Sequence, residues 1–225
     1  MTTQRIALAS AERIATNLMR GMAPACLRIE IGGSIRRNRA LVKDVELVLI
    51  PKWEERTVDG AQVALGDEPP RERVNLLAEL IERKVAEGRI RVIKPGTKEI
   101  EDWPLKPAGR YWRCLLPSGI KVDIFIVTPA NWGTGLLIRT GPAFGPSQTP
   151  RDGFTPAMLR RWEQVSHGGK MQGMMLHTPD GKEVATPEEA TVFSLVQVRY
   201  VPPEARFAAA DVESNAIGVP MRKSR

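Results

Sequence analysis

Apolar positions along this chain recur with two periods, one helical and one strand-like. Over residues 3–20, Ile6, Leu8, Ala11, Ile14, Ala15 and Leu18 form a helical stripe that stops near Gly21 and Pro24. Residues 27–31 alternate like a strand and deliver the chain to Gly32-Gly33. Residues 42–50 are apolar-rich, carry Asp44 and Glu46 at their start, and read as a second strand. A polar stretch with Gly60, Gly66 and Pro69-Pro70 reads as a loop; helical spacing then returns at Val74, Leu77, Leu80, Ile81 and Val85 before Gly88. Three strand-like pieces follow at 89–93, 110–116 and 119–128, the last two joined as a hairpin through Pro117-Ser118. In the third piece Val122, Ile124 and Ile126 share one face, and Asp123, Phe125 and Val127 the other.

Beyond this point the pattern predicts a helix over 131–141 that ends in Thr140-Gly141, and a Pro, Ser and Gly-rich connector at 145–153. A smaller unit comes next: a helix from Thr155-Pro156 to about Val165, a Gly168-Gly169 turn, and strands at 171–177 and 182–184. A final helix is expected to open at Thr186, because Thr186-Pro187-Glu188-Glu189 has the capping-box pattern with proline at the first helical position. Met171, Met174 and Met175 read as core fillers of this unit, Trp132 and Trp162 as core residues, with stacking on a nucleobase as the alternative for the tryptophans. The predicted fold is α+β. A mixed or antiparallel sheet backed by helices occupies residues 1–140, a small α+β domain occupies 141–207, and 208–225 form a loose tail.

Composition narrows the class. A chain of 225 residues fits one large domain or two small ones, and its 42% hydrophobic and 26% charged residues are those of a soluble globular protein. No apolar run reaches the roughly 18 residues that span a bilayer, and the N-terminus lacks a signal-peptide core, so no membrane partner and a cytoplasmic location are expected. The two cysteines, Cys26 and Cys114, read as buried thiols, and His167 and His177 lack cysteine partners at zinc spacing. The net charge of +7 suits a nucleic-acid partner, with a merely solvated basic surface as the alternative. The excess is uneven: residues 1–50 hold eight basic and four acidic side chains, residues 151–207 seven of each.

The chemistry concentrates around the acids. Asp44 and Glu46, two apart on a strand, point to one face, where they repel unless a proton or cation lies between them. Asp123 on another strand makes a divalent metal, magnesium, the natural partner; a salt-bridged strand aspartate is the competing explanation for Asp123. Upstream, Ile31-Gly32-Gly33-Ser34-Ile35-Arg36-Arg37 places glycines, a serine and forked cations where a turn opens into a helix, an arrangement suited to phosphate. Carboxylates, metal and phosphate loop together describe a nucleotidyl-transfer site.

Gly33-Ser34, Arg36-Arg37, Asp44, Glu46 and Asp123 resemble the nucleotidyltransferase superfamily of DNA polymerase β. The likeness is closest to family X DNA polymerases, through the double arginine, the later Thr140-Gly141, and the stretches 186–193 and 200–206. The resemblance covers residues 25–207. It implies a polymerase β-like palm, two magnesium ions replaceable by manganese and held by the catalytic acids Asp44, Glu46 and Asp123, and a nucleoside triphosphate bound by Gly33, Ser34, Arg37, Thr140 and Gly141. Asp123 would lie nearest the acceptor 3′-hydroxyl, while Ser34 and Arg37 would hold the β- and γ-phosphates as pyrophosphate leaves. Arg37, rather than Arg36, matches the family's phosphate arginine. The implied activity is that of a monomeric, compact, gap-filling DNA polymerase on primer-template or gapped DNA, with RNA as a further acceptor.

Two departures qualify the likeness. No N-terminal lyase domain or helix-hairpin-helix element is evident, and Ile138-Arg139 stands where many members carry an aromatic pair before Thr-Gly to sense the sugar. Two alternatives stay open: a template-independent terminal nucleotidyltransferase acting on RNA, a small molecule or a protein, and a non-catalytic nucleic-acid-binding module.

Overall fold

The computed structural model describes residues 5–58, 68–96 and 100–218. It opens with a two-residue strand, β1 (Ile6–Ala7), and helix α1 (Leu8–Met22), whose Ala11, Ala15 and Met22 are buried. The helix begins later than its apolar stripe because Ile6 and Ala7 pair with β3 (Leu41–Val42). Between them lie β2 (Cys26–Ile31) and the short helix α2 (Gly33–Arg36). The strand predicted at 42–50 is interrupted at Lys43, and its main part is β4 (Asp44–Pro51).

The segment predicted as a loop departs most from expectation. Trp53–Thr57 (β5) and Arg71–Asn75 (β6) pair antiparallel into a largely exposed arm, while Gly60 and Gly66 lie outside the described residues. Val74, read as helical, belongs to that arm. Helix α3 (Leu76–Ala86) starts after it, capped by the Asn75 side chain, which accepts from the N–H groups of Leu77 and Ala78 at 3.0 and 3.2 Å.

Strands β7 (Arg91–Ile93), β8 (Tyr111–Leu115) and β9 (Lys121–Ile126) complete a five-stranded sheet in the order β2-β4-β9-β8-β7. The β4/β9 pairing is parallel and the others antiparallel, so the sheet is mixed. Strand alternation gives it two apolar faces. Val45, Leu47, Leu49, Val122 and Ile124 pack against Ala11, Ala15, Leu77 and Ile81. Val48, Ile50, Phe125 and Val127 face Trp132 and Leu136 of α4 (Trp132–Thr140). The adjacent Leu137 enters a second core, so α4 joins the sheet to the C-terminal unit.

That unit holds α5 (Phe154–Val165), a small sheet of β10 (Lys170–Gln172), β11 (Met175–His177) and β12 (Glu183–Val184), α6 (Glu189–Leu195) and α7 (Ala209–Ser214). The molecule is α+β, as expected, and Trp132, Trp162, Cys26 and Cys114 are buried. Two corrections concern this region. The last predicted helix does not open at Thr186, since α6 begins at Glu189 with Glu188 as its cap. Thr186 is drawn away by α4: its N–H and carbonyl bond to Ala130 and Gly133, and its hydroxyl lies 2.8 Å from that of Thr134. Nor are residues 208–218 a loose tail. Val212 of α7 is fully buried in the second core, and Arg161 donates to the Ile217 carbonyl at 2.8 Å; residues 219–225 lie outside the described residues. Among the described residues no helix is long and apolar enough to cross a membrane.

Candidate active site

Parallel pairing of β4 with β9 sets Glu46 directly beside Asp123 and brings Asp44 onto the same face. Further along, that face is apolar, with Val48 paired to Phe125 under α4. The acids therefore occupy the end of that face beyond the apolar contact with α4, where Asp123 is buried and Glu46 packs under Gly33. Asp44 and Glu46 are half-buried and, among the described residues, make no hydrogen bond or ion pair. Burial raises both carboxyls above their ordinary range, and neighbouring negative charge raises them further. Glu46 feels Asp44 and Asp123 together and is pushed up to about 7, despite the partial relief from Arg37 and Arg139.

Asp123 lives differently. Arg113 forks onto it, Nε at 2.6 Å from Oδ1 and Nη2 at 2.7 Å from Oδ2, and the Tyr111 hydroxyl donates to Oδ1 at 2.8 Å. Tyr111 is held in turn by stacking on Phe125, ring centroids 4.9 Å apart. The third acid is thus salt-bridged as the structure stands. Among the described residues no three acidic, histidine or cysteine side chains converge tightly enough to grip one ion. The fit to a metal is accordingly divided: Asp44 and Glu46 are two mutually repelling carboxylates with no hydrogen bond or ion pair among the described residues, whereas Asp123 already accepts three hydrogen bonds from Arg113 and Tyr111 and keeps one lone pair of Oδ2, beside the Arg113 guanidinium.

The glycine turn before α2 meets these acids. The Gly32 N–H donates to the Glu46 carbonyl at 2.8 Å, and Gly33 has a φ of +61°. A Cβ on Gly33 would lie 1.7 Å from Glu46 Oε2, so the space of a missing side chain is filled by the carboxylate. Ser34 lies in the single turn of α2, half-buried. No protein-family model and no curated protein sequence matches this chain.

Thr140-Gly141 is brought to the same place, at the end of α4. Arg36 donates to the Thr140 hydroxyl at 2.7 Å and reaches both oxygens of Glu189 at 2.9 Å, so it ties the loop to the C-terminal unit. Arg37 donates through Nη1 to the Thr140 carbonyl, and a Cβ on Gly141 would sit 3.0 Å from that nitrogen. Both arginines of the motif therefore touch the turn. Among the described residues, of the two only the Arg36 guanidinium has a carboxylate, and the Nε of Arg37 is buried with no partner. Sequence reasoning missed Arg113 and Tyr111. Their signal lay in the hairpin register: a two-residue turn at Pro117-Ser118 would pair Arg113 with Val122. The observed turn includes Gly119 at φ +80° and pairs Arg113 with Asp123.

Proposed function

We propose that this protein transfers a nucleotidyl group from a nucleoside triphosphate to a 3′-hydroxyl, as a compact gap-filling DNA polymerase of family X type on a polymerase β-like palm. The observation that carries the reading is the pair Asp44 and Glu46, without partners among the described residues, with Glu46 lying against the Gly33 turn and under the charge of Arg37. A cation for the carboxylates and an anion for the arginine would complete both halves at once, and a metal-bound triphosphate is a ligand that offers both.

Magnesium, or manganese in its place, would be held by Asp44 and Glu46, with Asp123 as third ligand, in the two-ion scheme of the resembled family. When bound it supplies neutralising charge for the phosphates and a lowered pKa for the acceptor hydroxyl. In the reaction the acceptor's 3′-oxygen bonds to the α-phosphorus, the α–β phosphoanhydride bond breaks, and pyrophosphate leaves. Gly33 lets the turn close onto Glu46 and so bring the start of α2 to the triphosphate, Ser34 and Arg37 hold its β- and γ-phosphates, and Thr140-Gly141 shapes the wall through its bonds to both arginines. Asp123, whose carboxylate Arg113 and Tyr111 orient, would receive the hydroxyl proton.

A second reading, template-independent transfer, draws support from the C-terminal unit. Residues 151–207 carry equal numbers of basic and acidic side chains and so offer little grip on a duplex. Labelled nucleotide addition on gapped DNA, single-stranded DNA and RNA, run side by side with each template base, separates the readings. Templated addition of one or a few nucleotides at a short gap, falling steeply with salt, is expected. Equal addition opposite all four bases, or extension of unpaired ends alone, replaces it with the terminal-transferase reading. Absence of pyrophosphate release on every acceptor ends the nucleotidyl-transfer reading.

A further inference from the structure

Three arginines beside the site, Arg36, Arg113 and Arg139, spend their charge very differently. Arg36 is forked onto Glu189, and Arg113 onto Asp123. Arg139 makes no hydrogen bond and no ion pair among the described residues, and its Nε is buried without a partner. Its guanidinium carbon lies 3.9 Å from the centre of the Phe125 ring, and Phe125 is stacked on Tyr111, which bonds Asp123. Its backbone abuts the glycine turn, the Arg139 carbonyl oxygen being 3.0 Å from where a Gly32 Cβ would stand.

We propose that Arg139 is a substrate-binding residue that grips the triphosphate of the nucleotide; the proposal rests on the nucleotidyl-transfer reading. Leaving the buried Nε–H of Arg139 unmade is costly, and its charge acts on Glu46 without an ion pair between them among the described residues, so the guanidinium is open to a further partner. The missing partner must be an anion, must offer several acceptor oxygens to a planar fork, and must tolerate carboxylates nearby. Phosphate brought in with a divalent cation meets all three conditions. Its contact with the Phe125 ring holds the guanidinium over the sheet before the ligand arrives, so less side-chain freedom is lost on binding. Arg37 and Arg139 both act on Glu46, and would hold the phosphate chain between them.

The competing role for Arg139 is a diffuse counter-charge to Glu46, and two substitutions separate the roles. Arg139→Met keeps an unbranched stem over Phe125 and removes the cation; Arg139→Lys keeps the charge and removes the fork. Binding of a non-hydrolysable α,β-imido deoxynucleoside triphosphate with magnesium, and of magnesium alone, would be measured by calorimetry on the full chain after thermal melts establish folding. Expected is a loss of nucleotide affinity on the order of 10- to 100-fold in Arg139→Met, little recovery in Arg139→Lys, and magnesium affinity unchanged or higher. The deoxynucleoside monophosphate should be affected much less. Wild-type binding of the triphosphate with Arg139→Met unimpaired, or full recovery in Arg139→Lys, overturns the role given to Arg139 and leaves the nucleotidyl-transfer reading in place. Failure of the wild-type protein to bind the triphosphate at all removes that reading and this proposal together.

Discussion

Glu46 on the sheet and Glu189 at the start of α6 are both glutamates withdrawn from water, and their carboxyls shift in opposite directions. Burial pushes Glu189 up, but hydrogen bonds from Arg206 and Arg36 more than offset it, and its carboxyl falls below the usual range. Arg206 is itself fully buried, its guanidinium lying between 5.1 and 5.6 Å from the rings of Phe154, Phe193 and Tyr200. At Glu46 burial and two neighbouring carboxylates act in the same direction. A buried charge with its partners in place joins two parts of a fold. One left among like charges makes the fold less stable at neutral pH, and that cost is what a ligand can relieve.

The sharpest test of this contrast is activity. Asp44→Asn and Asp123→Asn should each leave a folded protein and lower nucleotidyl transfer on the order of 10³-fold or more, read by single-nucleotide incorporation. Near-normal turnover in a folded Asp123→Asn protein would show that Asp123 only anchors Arg113. Stability gives the next largest effect. Glu189→Ala strands Arg206 and Arg36 and should cost about 3–5 kcal/mol in denaturant unfolding, whereas Glu46→Gln should stabilise the protein at pH 8. The same sign for both would abolish the distinction.

Acidity supplies a third test. Glu46 binds its proton more tightly folded than unfolded, so its contribution is fully present below about pH 4.5 and is lost as pH rises through about 7. The loss amounts to at most roughly 3 kcal/mol, at about 1.4 kcal/mol per pH unit. Glu189 contributes oppositely, with stability present above its unfolded pKa and lost as pH falls through the lowered folded one. Melting temperatures from pH 5 to 8 should show the Glu46 decline, Glu46→Gln should flatten it, and magnesium should raise the melting temperature more at pH 8 than at pH 5. A magnesium effect independent of pH would separate the ion from Glu46. The smallest effect is at Gly33→Ala, where the positive φ costs about 1–2 kcal/mol and the new Cβ meets Glu46. Adding Glu46→Ala should recover the steric part in a denaturation curve, and no recovery would mean that the backbone alone carries the cost.

The sheet and the position of the acids were legible because they depend on alternation. Val122, Ile124 and Ile126 could only face a core together, which sends Asp123 to the side of Phe125. The glycine turn was legible because a phosphate loop and a close-packed carboxylate demand the same missing side chain. The Thr186 helix start failed because its capping residues had stronger partners elsewhere, Thr134 for Thr186 and two arginines for Glu189. The β5/β6 arm was invisible because an exposed strand pair has no apolar face to betray it. The Arg113 pairing turned on one residue of hairpin register, which Pro117-Ser118 alone does not decide.

The parallel pairing of β4 and β9 also bears on how the protein comes together. Glu46 and Asp123 are distant in sequence, separated by the β5/β6 arm, α3 and two strands, and they meet only when the chain closes that long loop. Like charges are therefore brought together in the same step that joins the two halves of the sheet. Above the titration of Glu46 that step proceeds against repulsion, so refolding should be slower at pH 8 than at pH 6 if the pairing forms in the transition state, and divalent cations should then hasten it. The site would act on the protein's own folding rate before it meets any substrate.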